Sequence, residues 1–410
     1  SYQSYLQLVP GVKPSDTGNP SSRSGVNYSD IGGTSGSSSD NVYYIDGVDV
    51  TDPTTGTFGA NFNSEIIQEQ QVIVGGVPAE YAGGSGLISR VITKSGSNEF
   101  HGSVNYYLQN DNLVAEDEHN TSGGFSTYDT AVTLGGPILQ DRLWFFASYQ
   151  KKHREDDVED PNSGALLRSV TNDGEFGFGK VTWQITPDDR LTATFFNDPT
   201  EISGSNDSGV LNNRDRAREQ GGDNWKIDYS HFFGDLVVNG YFFRHEGQLS
   251  SIAADQSTRD NLTFASSANS TLAQRSLGGF GSNIETERNR DEWGINFEYY
   301  RDTAWGSHTI KGGFLSTENV YAETSSLTTG ATYASLAAAY AGTTFSQYTT
   351  GNWTSTSISA SDSGRIITAL NGNATARAAV DTDNNGTVSQ AELDAYQFTS
   401  TAGNPYGNVN

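Results

Sequence analysis

The sequence predicts a mainly β chain whose larger part is a transmembrane antiparallel β-barrel. Three observations carry this prediction. Apolar and polar residues alternate with a period of two in many segments, and such alternation gives a strand one apolar face and one polar face. Short and long connections between these segments also alternate. Finally, no apolar run approaches the roughly 20 residues of a membrane helix, whereas barrel strands alternate and are polar on average.

The alternation is clearest in "WKIDYS", where Trp225, Ile227 and Tyr229 point to one side and the polar residues between them point to the other. Most of the predicted strands are near the roughly 9–11 residues that a tilted strand needs to cross a bilayer. An odd number of strands leaves an unpaired edge in hydrocarbon, so we expect sequence beyond Asn410 to complete the barrel. The nine predicted strands are 100–110, 127–139, 143–152, 175–186, 191–197, 223–233, 236–248, 291–301 and 308–321.

The connections favour a membrane barrel over a soluble sandwich. An outer-membrane barrel has short periplasmic turns and long external loops, whereas a tyrosine-rich β-sandwich, the alternative for this composition, has no reason to alternate them. The predicted short connections are 139–142, 187–190, 233–236 and 302–307. The predicted long ones are 111–126, 153–171, 198–222, 249–290 and 322–410.

Composition excludes several function classes. The 410 residues include 24 Lys and Arg against 49 Asp and Glu, a net charge of −25, so nucleic acid is not an expected partner. There is no cysteine and therefore neither a disulfide nor a thiolate metal site. The six histidines are scattered without metal-ligand spacing, and nothing in the sequence assembles a nucleophile with a base. We therefore predict that the chain is not an enzyme and has no catalytic residues.

The first 149 residues contain four stretches that together resemble a known family. They resemble the plug domain and first strands of TonB-dependent outer-membrane transporters, and are most similar to the Oar-like branch. The chain departs from a complete member because it shows no TonB-box peptide, no domain ahead of the plug and less than half of the strands. The four stretches are "LQLVPGV", "YYIDGVDVTDP", "IIQEQQVIVGGVPAEYAGGSGLISRVITKSGSNEFHGSV" and "LGGPILQDRLWFFASYQ".

This resemblance implies an N-terminal α+β plug inside a barrel of 22 strands, of which about nine are expected here. The chain lacks methionine even at position 1, so we expect the plug to be incomplete at its N-terminus. The predicted domains are the plug at 1–96, the N-terminal part of the barrel at 97–321 and a long extracellular loop at 322–410. The implied location is the outer membrane of a Gram-negative bacterium.

A calcium-binding EF-hand loop is predicted in "DTDNNGTVSQAE", residues 381–392. Oxygen-bearing residues occupy its first, third, fifth and ninth positions, glycine its sixth and glutamate its twelfth, which is EF-hand spacing. The alternative is an Asp/Asn/Gly-rich turn that matches the motif by accident. Calcium is the only predicted cofactor. The predicted metal ligands are Asp381, Asp383, Asn385, Thr387 (through its carbonyl), Ser389 and Glu392.

Other charged residues give weaker signals. The acidic stretch "HREDDVEDP" lies in a predicted external loop and would bind calcium or a cationic substrate, although a solvated charge run is the commoner meaning of such a sequence. Arg90 and Lys94 would pair with inward barrel acids such as Glu298, or else remain solvated, as such charges commonly do.

The function implied by the resemblance is TonB-dependent active transport, or reception, of an unidentified large substrate. The expected partners are a periplasmic TonB-type energy-transducing protein, outer-membrane lipid or lipopolysaccharide, and a surface lipoprotein or other outer-membrane protein. One alternative is a plugged barrel that serves as a surface anchor, an adhesin or a secretion component. A second is a soluble calcium-dependent β-protein that binds carbohydrate.

Overall fold

The fold is mainly β, with two sheets that contact each other and a small helical pair near the C-terminus. The structure is a computed structural model. Among the residues that it describes, no helix is long and apolar enough to cross a membrane. The described residues are 6, 8–10, 41–56, 58–74, 78, 81, 86–114, 123–159, 165–206, 215–254, 263–265, 276–278, 282–327, 332–334, 367–368, 370–372 and 374–395.

A four-stranded N-terminal sheet contains β1 (Val42–Ile45), β2 (Val48–Asp49), β3 (Ile67–Ile73) and β4 (Ile88–Thr93), in the order β2-β1-β4-β3. The hairpin between β1 and β2 turns at Asp46 and Gly47, where both residues have positive φ angles of 47° and 85°. An Asp-Gly pair suits this turn because both residues tolerate the left-handed region. A 3-10 helix at Ser64–Ile66 leads into β3.

A large antiparallel sheet follows, and each of the nine predicted segments lies within one of its strands, except that the first begins one residue too early, at Phe100. Its strands are β5 (His101–Asn110), β6 (Phe125–Leu139), β7 (Leu143–Glu159), β8 (Leu166–Thr186), β9 (Asp189–Asn197), β10 (Thr200–Ser203), β11 (Arg216–Phe233), β12 (Leu236–Ala253), β15 (Ser282–Thr303) and β16 (Gly306–Leu327). Their order in the sheet is β16-β15-β12-β11-β10-β8-β7-β6-β5, with β9 paired between β8 and β11.

The strands are longer than predicted at the ends that were assigned to long loops. The pair β7 and β8 stays hydrogen-bonded as far as Glu159 and Leu166, so most of the predicted loop at 153–171 is strand. The prediction was wrong because this polar extension carries no apolar alternation, while its ladder of backbone hydrogen bonds continues. Three further short strands pair with one another: β13 (Thr263–Ala265), β14 (Ser276–Gly278) and β17 (Thr332–Ala334).

β9 and β10 occupy one position in the large sheet and are separated by Asp198 and Pro199. Both pair with β8 on one side and β11 on the other, and on each side the register is unchanged across the break. Proline has no N–H to donate to the ladder, which explains the interruption. The side chain of Asp198 accepts from the backbone N–H of Asn61, at 2.6 Å, so this break also contacts the segment between β2 and β3.

The two faces of the large sheet differ in the way the sequence predicts. Trp225, Ile227 and Tyr229 are 51%, 53% and 43% exposed and form part of an outward apolar face. The intervening Lys226 and Ser230 are buried on the inward face, which contacts the N-terminal sheet. An exposed apolar band on one side of an antiparallel sheet is the pattern of a lipid-facing barrel wall.

The inward face is less uniformly polar than predicted. Four phenylalanines from this face join the core of the N-terminal sheet, where Tyr43 and Phe58 are almost completely buried. Apolar burial therefore contributes to docking the two sheets, besides the polar contacts described below. The four phenylalanines are Phe146, Phe178, Phe196 and Phe243.

Replacing Ile227 with arginine is expected to destabilise the protein in phospholipid vesicles by about 2–4 kcal/mol if the residue lies near the bilayer midplane, because a cation would face lipid. The free energy of unfolding, measured by urea titration, checks this. Asp235→Arg, in the exposed turn between β11 and β12, is the control and should change little. Equal effects at the two positions would contradict a lipid-facing Ile227.

Candidate functional site: a buried charged interface and an EF-hand-like loop

The hairpin of β1 and β2 and the chain just after it present aspartates to basic residues of the inward face. Asp52 accepts from Nη1 of Arg288 on β15 at 2.6 Å, and their side chains are 1% and 9% exposed. The carboxylate also accepts from the N–H groups of Thr54 and Thr55. Burial acts to raise the pKa of Asp52, but these N–H groups and Arg288 outweigh it and lower the pKa. Asp52 is therefore a buried, ionised partner of the sheet.

A second contact lies at the turn of the same hairpin. Lys180 on β8 places Nζ 2.9 Å from Oδ2 of Asp46 and 2.7 Å from Oγ1 of Thr93. Lys226 on β11 donates to the backbone carbonyl of Asp46 and pairs with Asp228 at 2.6 Å. Both lysines are 7% exposed. The turn residue Asp46 therefore binds two different strands of the large sheet.

A third contact lies between these two. Arg290 on β15 reaches Asp49 of β2, with Nη1 3.1 Å from its Oδ2 and 2.6 Å from its backbone carbonyl. The interface is thus a row of charge-assisted bonds, which are stronger than neutral ones. Nearby, a cavity of about 370 Å³ opens between the hairpin and the sheet, lined by residues that include Asp46, Lys180 and Lys226.

The signs of the charges across this interface are the reverse of those expected from Arg90 and Lys94, which would have placed basic residues on the N-terminal sheet. Arg90 donates to Gln71 within the N-terminal sheet at 3.4 Å, and Glu298 pairs with Lys311 of β16 at 3.5 Å. The basic partners belong to the large sheet and the acidic ones to the hairpin. The sequence signal was present in the three aspartates of "YYIDGVDVTDP", but their partners lie as far as 241 residues away.

The acidic stretch that begins at His153 does not form one loop cluster. Residues 153–159 belong to β7, so successive side chains point to opposite faces. Arg154 pairs with Asp156 at 2.6 Å, and Ser169 donates to Asp157 at 2.6 Å. Residues 160 and 161 lie outside the described part of the chain. These contacts indicate that the acidic residues bond to neighbours within the sheet, and they do not favour a cation site.

The predicted EF-hand loop lies between two short helices, α1 (Ala374–Val380) and α2 (Gln390–Ala395). Asn384 and Gly386 have positive φ angles of 58° and 87°, which allow the sharp bend that the motif needs. Carboxylate oxygens of Asp381, Asp383 and Glu392 lie within 4.8 Å of one another. The fold therefore brings three of the six predicted ligand residues to one point.

The other three predicted ligands occupy neighbouring positions in the same loop. The side-chain oxygen of Asn385 accepts from the N–H of Thr387 at 2.9 Å. Ser389 caps α2: its N–H and hydroxyl donate to the Glu392 carboxylate, and its Oγ accepts from the Glu392 N–H. This reciprocal capping box positions Glu392. The hydrogen bonds from Ser389 lower the pKa of Glu392 to about 2, so it is ionised at neutral pH.

Sequence reasoning missed Asn371, which holds the eighth position of the loop. Its carboxamide accepts from the N–H of Val388 at 2.6 Å and donates to the Val388 carbonyl at 3.2 Å. In paired EF-hands a second hand contacts this position, so Asn371 supplies from the same chain what a partner would supply. Val388 is buried, as are Leu370, Val380 of α1 and Leu393 of α2.

Replacing Asn371 with leucine is expected to accelerate hydrogen exchange at the Val388 amide by about tenfold or more, because leaving a buried polar group unpaired costs about 1–3 kcal/mol. Gly372→Ala is the neighbouring control, because the space around Gly372 is open. An unchanged exchange rate in Asn371→Leu would show that this carboxamide does not stabilise the loop.

Comparison with known proteins matches parts of the chain to outer-membrane proteins. The family described as "Outer membrane beta barrel domain" matches residues 92–162. The TonB-dependent transporter Oar of Myxococcus xanthus is 32% identical over 158 residues, which is 36% of this chain and 14% of Oar. The chain therefore spans about one seventh of that relative's length.

Solved structures show the same fold at low identity. The outer membrane transporter YddB from Escherichia coli has a TM-score of 0.57 at 14% identity, over 80% of this chain and 52% of YddB. The alcaligin outer-membrane receptor FauA from Bordetella pertussis has a TM-score of 0.54 at 13% identity, over 80% of this chain and 45% of FauA. Over the 158 matched residues the chain is similar to the TonB-dependent transporter Oar, and it shares the fold of these outer-membrane transporters. With the outer-membrane barrel domain at residues 92–162, these matches indicate the outer membrane of a Gram-negative bacterium.

Proposed function

We propose that this chain forms the plug and the adjoining part of the barrel of a TonB-dependent active transporter for a large substrate such as a peptide, protein or glycan. The observation that carries the proposal is the buried charged interface between the N-terminal sheet and the inward face. A wide barrel needs an occluding domain. Ion pairs suit a domain that must dock in one position and still be released, because buried pairs favour specificity more than stability.

The periplasmic partner in this proposal is a TonB-type protein that pulls on the N-terminal sheet. The lipid partner is the outer-membrane bilayer with its lipopolysaccharide, which the outward apolar face with Trp225, Ile227 and Tyr229 suits. A surface lipoprotein or another outer-membrane protein would contact the long external segment. The alternative role is a surface anchor, adhesin or secretion component, in which the N-terminal sheet never leaves its site.

We further propose that the loop at 381–392 binds calcium on the extracellular side. Calcium binds six to eight oxygens, and the carboxylates of Asp381, Asp383 and Glu392 converge while Asn385, Thr387 and Ser389 lie beside them. Bound calcium would offset the mutual repulsion of these carboxylates and hold the two helices together. A single hand suggests an affinity near that of extracellular modules, about 10⁻⁴–10⁻³ M.

Transport is tested by cysteine labelling in cells that express the full-length protein. The chain has no cysteine, so Ser89→Cys introduces one thiol on β4, where Ser89 is 1% exposed. If a TonB-type protein pulls the N-terminal sheet, maleimide should label this thiol in energised cells, and an uncoupler should abolish the labelling. Glu159→Cys, exposed at the end of β7, should react in both conditions.

The same experiment separates transport from anchoring. Deletion of the TonB-type partner should have the same effect as the uncoupler if the protein is a transporter. A surface anchor would keep Ser89→Cys unlabelled in every condition while Glu159→Cys reacts. That pattern would overturn the transport proposal and favour the anchor.

A further inference from the structure

Two arginines near the start of β11 lie on the inward face, ahead of the segment 223–233 that the sequence predicts to cross the membrane. Arg216 and Arg218 share strand parity with the buried Gln220 and Lys226. Since alternate residues of a strand share a face, both arginines belong to the side that contacts the N-terminal sheet. Arg218 pairs in register with Ile202 of β10 and with Ser251 of β12.

These arginines differ from the other basic residues of the inward face. Lys180, Arg288 and Arg290 each bind an aspartate of the β1–β2 hairpin or of the chain just after it. Within the described part of the chain, the guanidinium groups of Arg216 and Arg218 have no acidic partner within salt-bridge distance. The Nε atoms of both are buried without a hydrogen-bond partner.

The electrostatic environment of the pair is repulsive. Burial and the neighbouring charge of Arg216 lower the pKa of Arg218, yet a guanidinium stays charged at neutral pH. Gln220, which is 5% exposed, leaves its Oε1 without a hydrogen-bond partner as well. Unpaired buried polar groups are costly, and this group stands in a chain of net charge −25.

We propose that Arg216 and Arg218 bind an oxyanion, a carboxylate or a phosphate group, on the ligand that enters from outside, with Gln220 accepting a neighbouring N–H or O–H of the same ligand. This inference rests on the proposed transport function and names the substrate class. Guanidinium forks match carboxylate and phosphate oxygens in pairs, and an anion would relieve the repulsion between the two arginines. Arg168 is not part of this group, because it already contacts Ser205 and Asp215.

The test is calorimetry on the full-length protein in detergent, with inorganic phosphate and a triglutamate peptide as separate probes. The native protein should bind at least one probe. The double variant Arg216→Gln with Arg218→Gln should bind that probe at least about tenfold more weakly, because it loses hydrogen bonds between charged groups. The better probe distinguishes phosphate from carboxylate. Affinity should also fall as salt rises.

Arg244→Gln is the matched control. Arg244 lies on the neighbouring strand β12, is 46% exposed and is already bound to Asp291, so its loss should leave probe binding unchanged. If the double variant fails to fold, the single Arg218→Lys replaces it, because lysine keeps the charge without the planar fork and should still weaken binding. Probes that do not bind the native protein, or that bind both proteins equally, would overturn the oxyanion site.

The outcome is separable from that of the transport proposal, because labelling of Ser89→Cys does not depend on anion binding. Probe binding without energy-dependent labelling would support the arginine site and contradict transport. Energy-dependent labelling without probe binding would contradict the arginine site and support transport.

Discussion

Replacing Arg288 with alanine is expected to cost about 3–5 kcal/mol of docking free energy between the N-terminal sheet and the large sheet. The reason is the environment of Asp52, whose side chain is 1% exposed and would keep an ionised carboxylate without its guanidinium partner. Hydrogen exchange of the β1 and β2 amides should accelerate, while the amides of β7 and β8 remain protected. Mass spectrometry of the exchanged protein measures both.

The control for this prediction is another arginine–aspartate pair on the neighbouring strand. Arg244 binds Asp291 through two bonds of 2.8 and 2.7 Å, but the side chains are 46% and 40% exposed. Exposed pairs contribute about 0–1 kcal/mol, so Arg244→Ala should leave exchange in the N-terminal sheet unchanged. Similar effects of the two substitutions would contradict the importance of the buried interface.

A double-mutant cycle separates the interaction energy between Asp52 and Arg288 from the cost of leaving one of these charges buried without its partner. Asp52→Asn combined with Arg288→Met removes both charges, and neutral replacement of a buried pair is often tolerated. The double variant should therefore be less destabilised than the sum of the two single variants. Additive effects would mean that Asp52 and Arg288 stabilise docking independently.

Much of the architecture could be predicted because strand signals are local. The outward apolar triad Trp225, Ile227 and Tyr229 is visible within a few residues of sequence, and so are the tight turns. The outer end of β7 could not be predicted, because "HREDDVE" contains no apolar alternation. Its pairing comes from a ladder that is already established next to it.

The two candidate sites also differ in how far apart their residues lie in the sequence. The loop ligands from Asp381 to Glu392 fall within 12 residues, so spacing alone suggested them. The partners of Asp46 and Asp52 lie far along the chain, and only the register of the large sheet brings them to the hairpin. Asn371 was missed for another reason, because it acts through the backbone of Val388 and shows no motif.

Replacing Glu392 with glutamine is expected to abolish calcium-dependent protection of the segment around 374–395 from proteolysis. Glu392 is the residue that would supply two oxygens to calcium, and its carboxylate also caps α2 through Ser389. In the native protein, with a dissociation constant of about 10⁻⁴–10⁻³ M, 10 mM calcium would stabilise the folded loop by about 1.4–2.7 kcal/mol. Cleavage should therefore slow by roughly 10- to 100-fold where it requires opening of the loop.

The control is Asn384→Gly at the fourth position of the loop. This position supplies no ligand in the EF-hand pattern, and its positive φ of 58° suits glycine, so calcium should protect this variant as it protects the native protein. Magnesium should protect poorly, because it requires near-ideal octahedral geometry and gives up its waters reluctantly. Equal cleavage of the native protein with calcium and with a chelator would contradict the calcium site. In that case the bonds from Ser389 to Glu392 would act only as a helix cap.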